Sequence, residues 1–159
     1  SSMEIETLQL SDLYEVVKLE NLVFIEEAET KETYEDRVTT VPEGCFKITT
    51  DGKLVAYMTS ESVDEYHPLT LNRKASEFYE PFGKKVYLSS LCVAPESQGK
   101  GLGGALLKHL IATARRENRE SIHLRTARKA RHFYEKYGFQ FIWHADDPKD
   151  PYDVLELKL

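Results

Sequence analysis

The sequence predicts a single α/β domain, and three observations predict it. A strong hairpin signal joins two β-runs in the first half, a strand–helix–strand unit follows in the middle, and two further β-runs close the chain. The chain has 159 residues, enough for one well-packed core and too few for two ordinary ones. The domain is read as residues 3–159, with Ser1 and Ser2 as an addition ahead of a native Met3.

"IETLQL", Ile5 to Leu10, alternates like a short strand. "SDLYEVVKLENLVF" places Leu13, Val16, Val17 and Phe24 at near-helical spacing behind Ser11 or Asp12 as a cap. "KETYEDRVTT" is a second short helix, ended by Pro42. Cys45 to Thr50 and Leu54 to Val63 read as strands joined at Asp51-Gly52, because a two-residue hairpin turn needs residues that tolerate positive φ. From Asp64 to Lys85 periodicity is poor and Pro68, Pro81 and Gly83 interrupt it; so long a connection is expected to be functional or mobile. Lys85 to Val93 is a strand, and from Leu102 a helix sets Leu106, Leu107, Leu110, Ile111 and Ala114 on one stripe. Ser121 to Ala127 is the next strand. Ala130, Phe133, Tyr134 and Tyr137 then follow helical spacing up to Gly138, a left-handed cap. "FQFIW" and "DVLELKL" are the last strands, giving the order β-α-α-β-β-β-α-β-α-β-β.

Composition narrows the function classes. A formal charge of −6 argues against a nucleic-acid binder, which needs clustered Lys and Arg. No apolar run approaches a membrane span, no leader-like segment follows Met3, and Cys45 and Cys92 make no disulfide framework, so a cytoplasmic protein is expected. His109, His123 and His132 lack metal-ligand spacing, and no catalytic metal is expected. Charge is segregated: "FIEEAETKETYED" is acidic and "RTARKARH" is basic.

The chemistry concentrates in "LCVAPESQGKGLGGALLKHL". Gly99, Gly101, Gly103 and Gly104 stand between an apolar strand and a helix, after Gln98 and around Lys100 and Leu102. Free backbone N–H groups at a helix start, together with the helix dipole, form an anion site, and glycine lets a pyrophosphate approach the backbone. Gly99, Gly101 and Gly104 also satisfy the dinucleotide pattern G-x-G-x-x-G. However, "APESQ" separates strand from glycines, and the following strand ends in "RTAR" rather than in an acidic residue for the ribose.

"QGKGLGGALL" after "LSSLCVAPE" resembles the Q/R-x-x-G-x-G/A signature of the GNAT superfamily of acyl-CoA-dependent N-acyltransferases, with Gln98, Gly101 and Gly103 in the signature positions. The later "HFYEKYGFQFI" extends the likeness over roughly residues 5–159, and the arylalkylamine branch is faintly similar in "LENLVFIEEAE" and "PEGCF". The resemblance implies a mixed, mostly antiparallel sheet flanked by helices, and acetyl-CoA as donor. It implies that Gln98 to Gly104 hold the pyrophosphate and that the strand at Leu91, Cys92 and Val93 pairs with the pantetheine. Tyr134 stands where many members have a tyrosine that protonates the departing thiolate. A phenol of pKa about 10 suits a thiol of about 8.5. Ala127 replaces the asparagine that many members have seven residues before that tyrosine, leaving Arg128 and Arg131 as alternative phosphate ligands. Dimers are common among such proteins, so a homodimer is a further expectation.

The acceptor is read as a small primary amine, with a protein or peptide amine as the alternative and a noncatalytic CoA-binding module as the rival class. Phe24, Glu26, Glu27, Tyr87 and Ser89 are the candidate acceptor contacts. Tyr87, Ser89 and Ser90 are poor bases, so the proton acceptor is sought among Glu26, Glu27, Glu29, Glu61, Glu65 and His67. Cys92 on an apolar strand is expected to be inert rather than an acyl carrier. A backbone N–H near Leu91 or Val93 would polarise the thioester carbonyl.

Overall fold

The computed structural model describes residues 3–159; the reading of Ser1 and Ser2 lies outside them. The strands are β1 (Ile5–Thr7), β2 (Cys45–Thr50), β3 (Lys53–Val63), β4 (Lys85–Val93), β5 (Ser121–Thr126), β6 (Gln140–Ala145) and β7 (Tyr152–Lys158). The helices are α1 (Leu13–Phe24), α2 (Lys31–Thr40), α3 (Ala75–Phe78), α4 (Leu102–Arg116) and α5 (Arg131–Glu135). This is the expected order with one addition, the single turn α3 inside the long connection. The strands form one sheet in the order β1-β2-β3-β4-β5-β7-β6, antiparallel everywhere except between β4 and β5.

Local chemistry explains the elements. Asp51 and Gly52 have φ of 52° and 79°, the mirror-image turn that matches strand twist and that Asp-Gly allows. Thr30 caps α2 by accepting from the Thr33 N–H at 3.3 Å. Gly138, with φ of 96°, stops the last helix where its spacing ends. The first strand is shorter than expected, ending at Thr7. Leu10–Asp12 is instead a 3₁₀ turn in which Asp12 accepts from the Gln9 N–H at 2.7 Å and pairs with Lys47 at 2.8 Å.

The two faces of the sheet differ. Against α4 lie Ala56, Met58, Val86, Leu88, Ile122 and Leu124, all buried, facing Leu106, Leu107, Leu110 and Ile111. Opposite, beneath α1, α2 and the 64–84 connection, the burial is polar: Glu20, Tyr34, Arg37, Tyr57, Glu61, Arg73 and His123 are each 5% exposed or less. Glu20 accepts from the Tyr34 hydroxyl at 2.7 Å, from the Glu29 N–H at 2.8 Å and from the Tyr57 hydroxyl. Arg37 grips Glu29 with two bonds of 2.9 Å.

Candidate active site

The site begins with a break in the sheet. β4 and β5 pair in parallel only from Lys85–Ser121 to Leu88–Leu124, and beyond that pair they part. On the other side the β3–β4 register slips between Thr59–Ser90 and Ser60–Leu88, leaving Ser89 as the extra residue of a bulge. Ala94 donates to the Val55 carbonyl at 2.8 Å, so Ala94 and Cys92 turn their backbone groups toward β3. By the same alternation Leu91 and Val93 present theirs to the gap beside β5, where no strand meets them. The Val93 carbonyl accepts from Gln98 Nε2 at 3.2 Å, so Gln98 fastens the glycine loop to the strand.

The loop enters α4 through Gly101, which is left-handed with φ of 80°. The first bond of the helix runs from Ala105 N–H to Gly101 C=O at 3.0 Å, which leaves the N–H groups of Leu102, Gly103 and Gly104 without helical partners. The first turn contains no acidic residue and Lys100 is exposed beside it, so the potential there is positive. The four glycines have two different jobs. Gly99 and Gly101 have positive φ and open space where a Cβ would stand. A Cβ on Gly103 would come within 3.3 Å of Phe133, and one on Gly104 would overlap the Tyr137 hydroxyl, so this pair admits α5 and the turn after it against the helix start. Gly103 and Gly104, expected to serve the ligand, thus have a packing role as well. The fit to a CoA thioester therefore rests on the free N–H groups, the open space at Gly99 and Gly101, and the unpaired edge of β4.

The Tyr134 ring packs between Phe133 and Phe139, with centroids at 5.0 and 5.8 Å. Its hydroxyl has no hydrogen bond among the described residues, and burial raises its pKa well above the ordinary phenol value. Arg128 and Arg131 both turn to Asp153, at 3.4 and 3.1 Å, with His144 on the same carboxylate at 2.6 Å. Burial alone would raise the Asp153 pKa; the bonds from His144, Arg128 and Arg131 outweigh it and hold the carboxylate ionised. Two of the basic residues expected at the phosphates thus share a buried counter-charge.

The acceptor side also rearranges the candidates. Phe24 is half-buried at the end of α1, and Glu26 and Glu27 are exposed on a 3₁₀ turn. That turn begins at Ile25, a β-branched residue at φ of 51°, where side chains are strained. Tyr87 is buried beneath the connection, with the Arg73 guanidinium 4.4 Å from its ring centre, so it lines no open cleft. Ser89 Oγ lies 2.7 Å from Thr59 Oγ1 at the bulge. Among the sought bases, Glu29 is neutralised by Arg37, Glu61 lies 3.5 Å from Arg73, and Glu65 is exposed. Asp64, Glu65 and His67 bring ligand atoms within 4.8 Å of one another, a grouping the sequence spacing did not suggest. Burial pushes the Cys92 thiol up to about 12, the inert state expected of it.

A cavity of about 480 Å³ opens between the connection and the β6–β7 hairpin, bounded by Arg125, Trp143, Asp146, Asp147, Asp150 and Tyr152. Arg125 holds Asp150 at 2.7 and 2.8 Å, which leaves Asp146 and Asp147 without a cationic partner among the described residues. Sequence reading put the acidic lining at Glu26 to Glu29; the fold puts one at Asp146 to Asp150 as well. The buried Glu20 and His123 were missed too. Glu20 falls on the Leu13–Val16 stripe, so its position signalled burial although its type did not, whereas His123 shares its strand face with Ser121 and Arg125 and gave no such signal.

Two parallel strands that part beside an open helix start offer a binding place for an extended ligand that carries an anionic group. The model of the Acetyltransferase (GNAT) family matches residues 10–139. The chain belongs to that family, and so is an acyl-CoA-dependent acyltransferase with acetyl-CoA as donor. No curated protein matches it in sequence. Among solved structures it is similar to the loading GNATL domain of CurA from Lyngbya majuscula, at TM-score 0.85 and 18% identity, covering 99% of this chain and 98% of that one. It is also similar to the GphF GNAT-like decarboxylase in complex with isobutyryl-CoA, at TM-score 0.82 and 18% identity, with 98% of each chain covered. Naa50 of Arabidopsis thaliana, in complex with the bisubstrate analogue CoA-Ac-MVNAL, matches at TM-score 0.77 and 18% identity over 100% of both chains. At these identities the likeness is one of fold. Among the described residues no helix is long and apolar enough to cross a membrane.

Proposed function

We propose that the protein acetylates a primary amine of a small molecule by direct attack on acetyl-CoA with both substrates bound. The observation that carries this reading is the gap beside β4, where Leu91 and the Val93 N–H meet no strand, next to the free N–H groups of Leu102 to Gly104. Bound there, acetyl-CoA supplies a thioester carbonyl as electrophile and a thiolate as leaving group. An N–H of Leu91 or Val93 polarises the carbonyl, a fixed dipole that costs no reorganisation. Tyr134, kept protonated by burial, gives its phenolic proton to the departing sulfur.

The roof over the acceptor face supports a small acceptor. Asn72 in the connection donates its N–H to Glu29 at 2.8 Å and accepts from the Thr30 N–H and the Thr33 hydroxyl, both at 2.9 Å. Asp36 of α2 accepts from the Ser76 N–H at 3.2 Å. These bonds strap the connection to the α1–α2 region, and the 480 Å³ cavity between the connection and the β6–β7 hairpin has a volume in the small-molecule range.

Isothermal titration with acetyl-CoA, CoA and NADPH, followed by a panel of small amines and short peptides with thiol detection, tests this reading. Selective binding of the CoA compounds, lost in Gly101→Glu, and acetylation of small amines are expected. Faster turnover of peptides would overturn the small-molecule acceptor, and tight CoA binding without any acceptor would favour a noncatalytic module.

A further inference from the structure

His123 is fully buried, and neither ring nitrogen has a hydrogen-bond partner. Leaving a buried polar group unpaired costs about 1–3 kcal/mol, so such a group calls for a physical reason. Beneath the same connection Arg73 Nε is also without a hydrogen bond, while Arg73 Nη2 faces Glu61 Oε2 as an ion pair at 3.5 Å. The cover over His123 is thin. Tyr87 stacks on one side of the imidazole at 5.4 Å, and Tyr66 stands edge-on at 4.9 Å. Tyr66 is itself 50% exposed. It is held by its hydroxyl to Glu156 and by Lys85, whose Nζ lies 4.7 Å from its ring centre.

Position gives the unpaired imidazole a use. His123 pairs in register with Tyr87, one step before Leu88–Leu124, the last pair before β4 and β5 separate. It projects on the face beneath the connection, two residues along β5 from Arg125, which bounds the 480 Å³ cavity. The groups around it are Tyr66, His67 and Arg73 from the connection, Tyr87 and Lys85 from β4, and Glu156 from β7. Burial first, and then the charges of Arg73 and Lys85, hold the ring neutral, with a pKa lowered to about 3.

We propose that His123 is the proton acceptor of the transfer, uncovered when the acceptor amine displaces Tyr66 from the mouth of its pocket. The inference rests on the amine acetylation proposed above. The neutral amine forms the C–N bond, and one N–H proton, made acidic by that bond, passes to the imidazole. The C–S bond breaks with its electron pair on sulfur, which takes the Tyr134 proton. The imidazolium then returns a proton to the phenolate through water, so that amine and thioester become amide and thiol with no proton gained or lost. An exposed imidazole regains an ordinary pKa near 6.5 and suits this role at neutral pH.

Carbethoxylation by diethyl pyrocarbonate, read residue by residue by mass spectrometry, tests the cover without any acceptor. His123 should be protected in the wild type, while His132, whose side chain is 96% exposed, reacts. In Tyr66→Gly the His123 rate should approach that of His132. With an amine from the panel, His123→Gln should lower kcat by about 10²–10⁴-fold and abolish the acid limb of the pH profile, with acetyl-CoA affinity unchanged. His123 staying unreactive in Tyr66→Gly, or His123→Gln turning over like the wild type, would overturn the inference. Acetyl-CoA binding with no amine acetylated would instead overturn the proposed reaction beneath it.

Discussion

The two faces of the central sheet are closed by opposite chemistry. On one, α4 lays Leu106, Leu107, Leu110 and Ile111 on Val86, Leu88, Ile122 and Leu124, and nothing in that layer needs a particular partner. On the other, Arg37 and Glu29, Arg73 and Glu61, and Glu20 with its two tyrosines close the space beneath α1, α2 and the connection. Apolar burial stabilises in proportion to area and is indifferent to direction. Buried ion pairs contribute little net stability but fix which segment lies where. The apolar face is thus a stiff platform that aims the helix start at the gap. The polar face is a set of clasps on the loops that cover it.

This contrast breaks most visibly at Arg37. Arg37→Ala leaves the Glu29 carboxylate buried without its partner and should cost about 3–5 kcal/mol in denaturant unfolding, whereas the paired replacement Glu29→Leu with Arg37→Met should recover most of that loss. A single substitution costing under about 1 kcal/mol would show that the clasp is not load-carrying. On the apolar face Leu107→Ala, at a side chain with no exposure, should cost about 2–5 kcal/mol by the same measurement, set by how far the cavity collapses. Acetyl-CoA titration should change less in Leu107→Ala than in Gly101→Glu, since only the latter fills the loop.

Chemistry sharpens the comparison further. Tyr134→Phe should lower kcat by about 10²-fold, roughly 2.7 kcal/mol, with acetyl-CoA affinity retained; equal turnover would remove the phenol from the reaction. Acid should weaken the polar face selectively. The folded-state pKa of His123, about 3, lies below its ordinary 6.5, so the unfolded chain takes up the proton first. Its contribution is complete above about pH 6.5 and is lost as pH falls toward 3, so the stability–pH curve of His123→Gln should be flatter over that window. The smallest effect is expected far from both faces: Gly52→Ala, at φ of 79° with open space around it, should cost about 1 kcal/mol through backbone strain alone.

Much of the fold was legible because its signals are local. Asp51-Gly52 announces a hairpin, the leucines of α4 repeat every three or four residues, and Gly138 ends a helical run. Part of the site was legible for the same reason, since Gly99 and Gly101 lie consecutively in a turn that enters a helix. Residue type said less where tertiary packing decides. The burial of Glu20 and His123 in the sheet layer went unread, and Arg128 and Arg131, expected at the phosphates, also meet Asp153, which is 22 or more residues away in sequence. Gly103 and Gly104, expected in the cradle, also make room for Phe133 and Tyr137, which arrive from another helix and the turn after it.

The sequence by itself determined the order of strands and helices, the hairpin, the glycine turn at the head of α4 and the resemblance that this turn carries. Periodicity, caps and turns act within a few residues. Only the tertiary structure decided where β4 and β5 part, which carboxylates are neutralised, that acidic groups of the final hairpin line a cavity beside Arg125, and that an imidazole lies unpaired beneath Tyr66. Each of these depends on contacts between segments far apart in the chain, where burial and charge are set by what the fold brings together and not by what the neighbouring residues are.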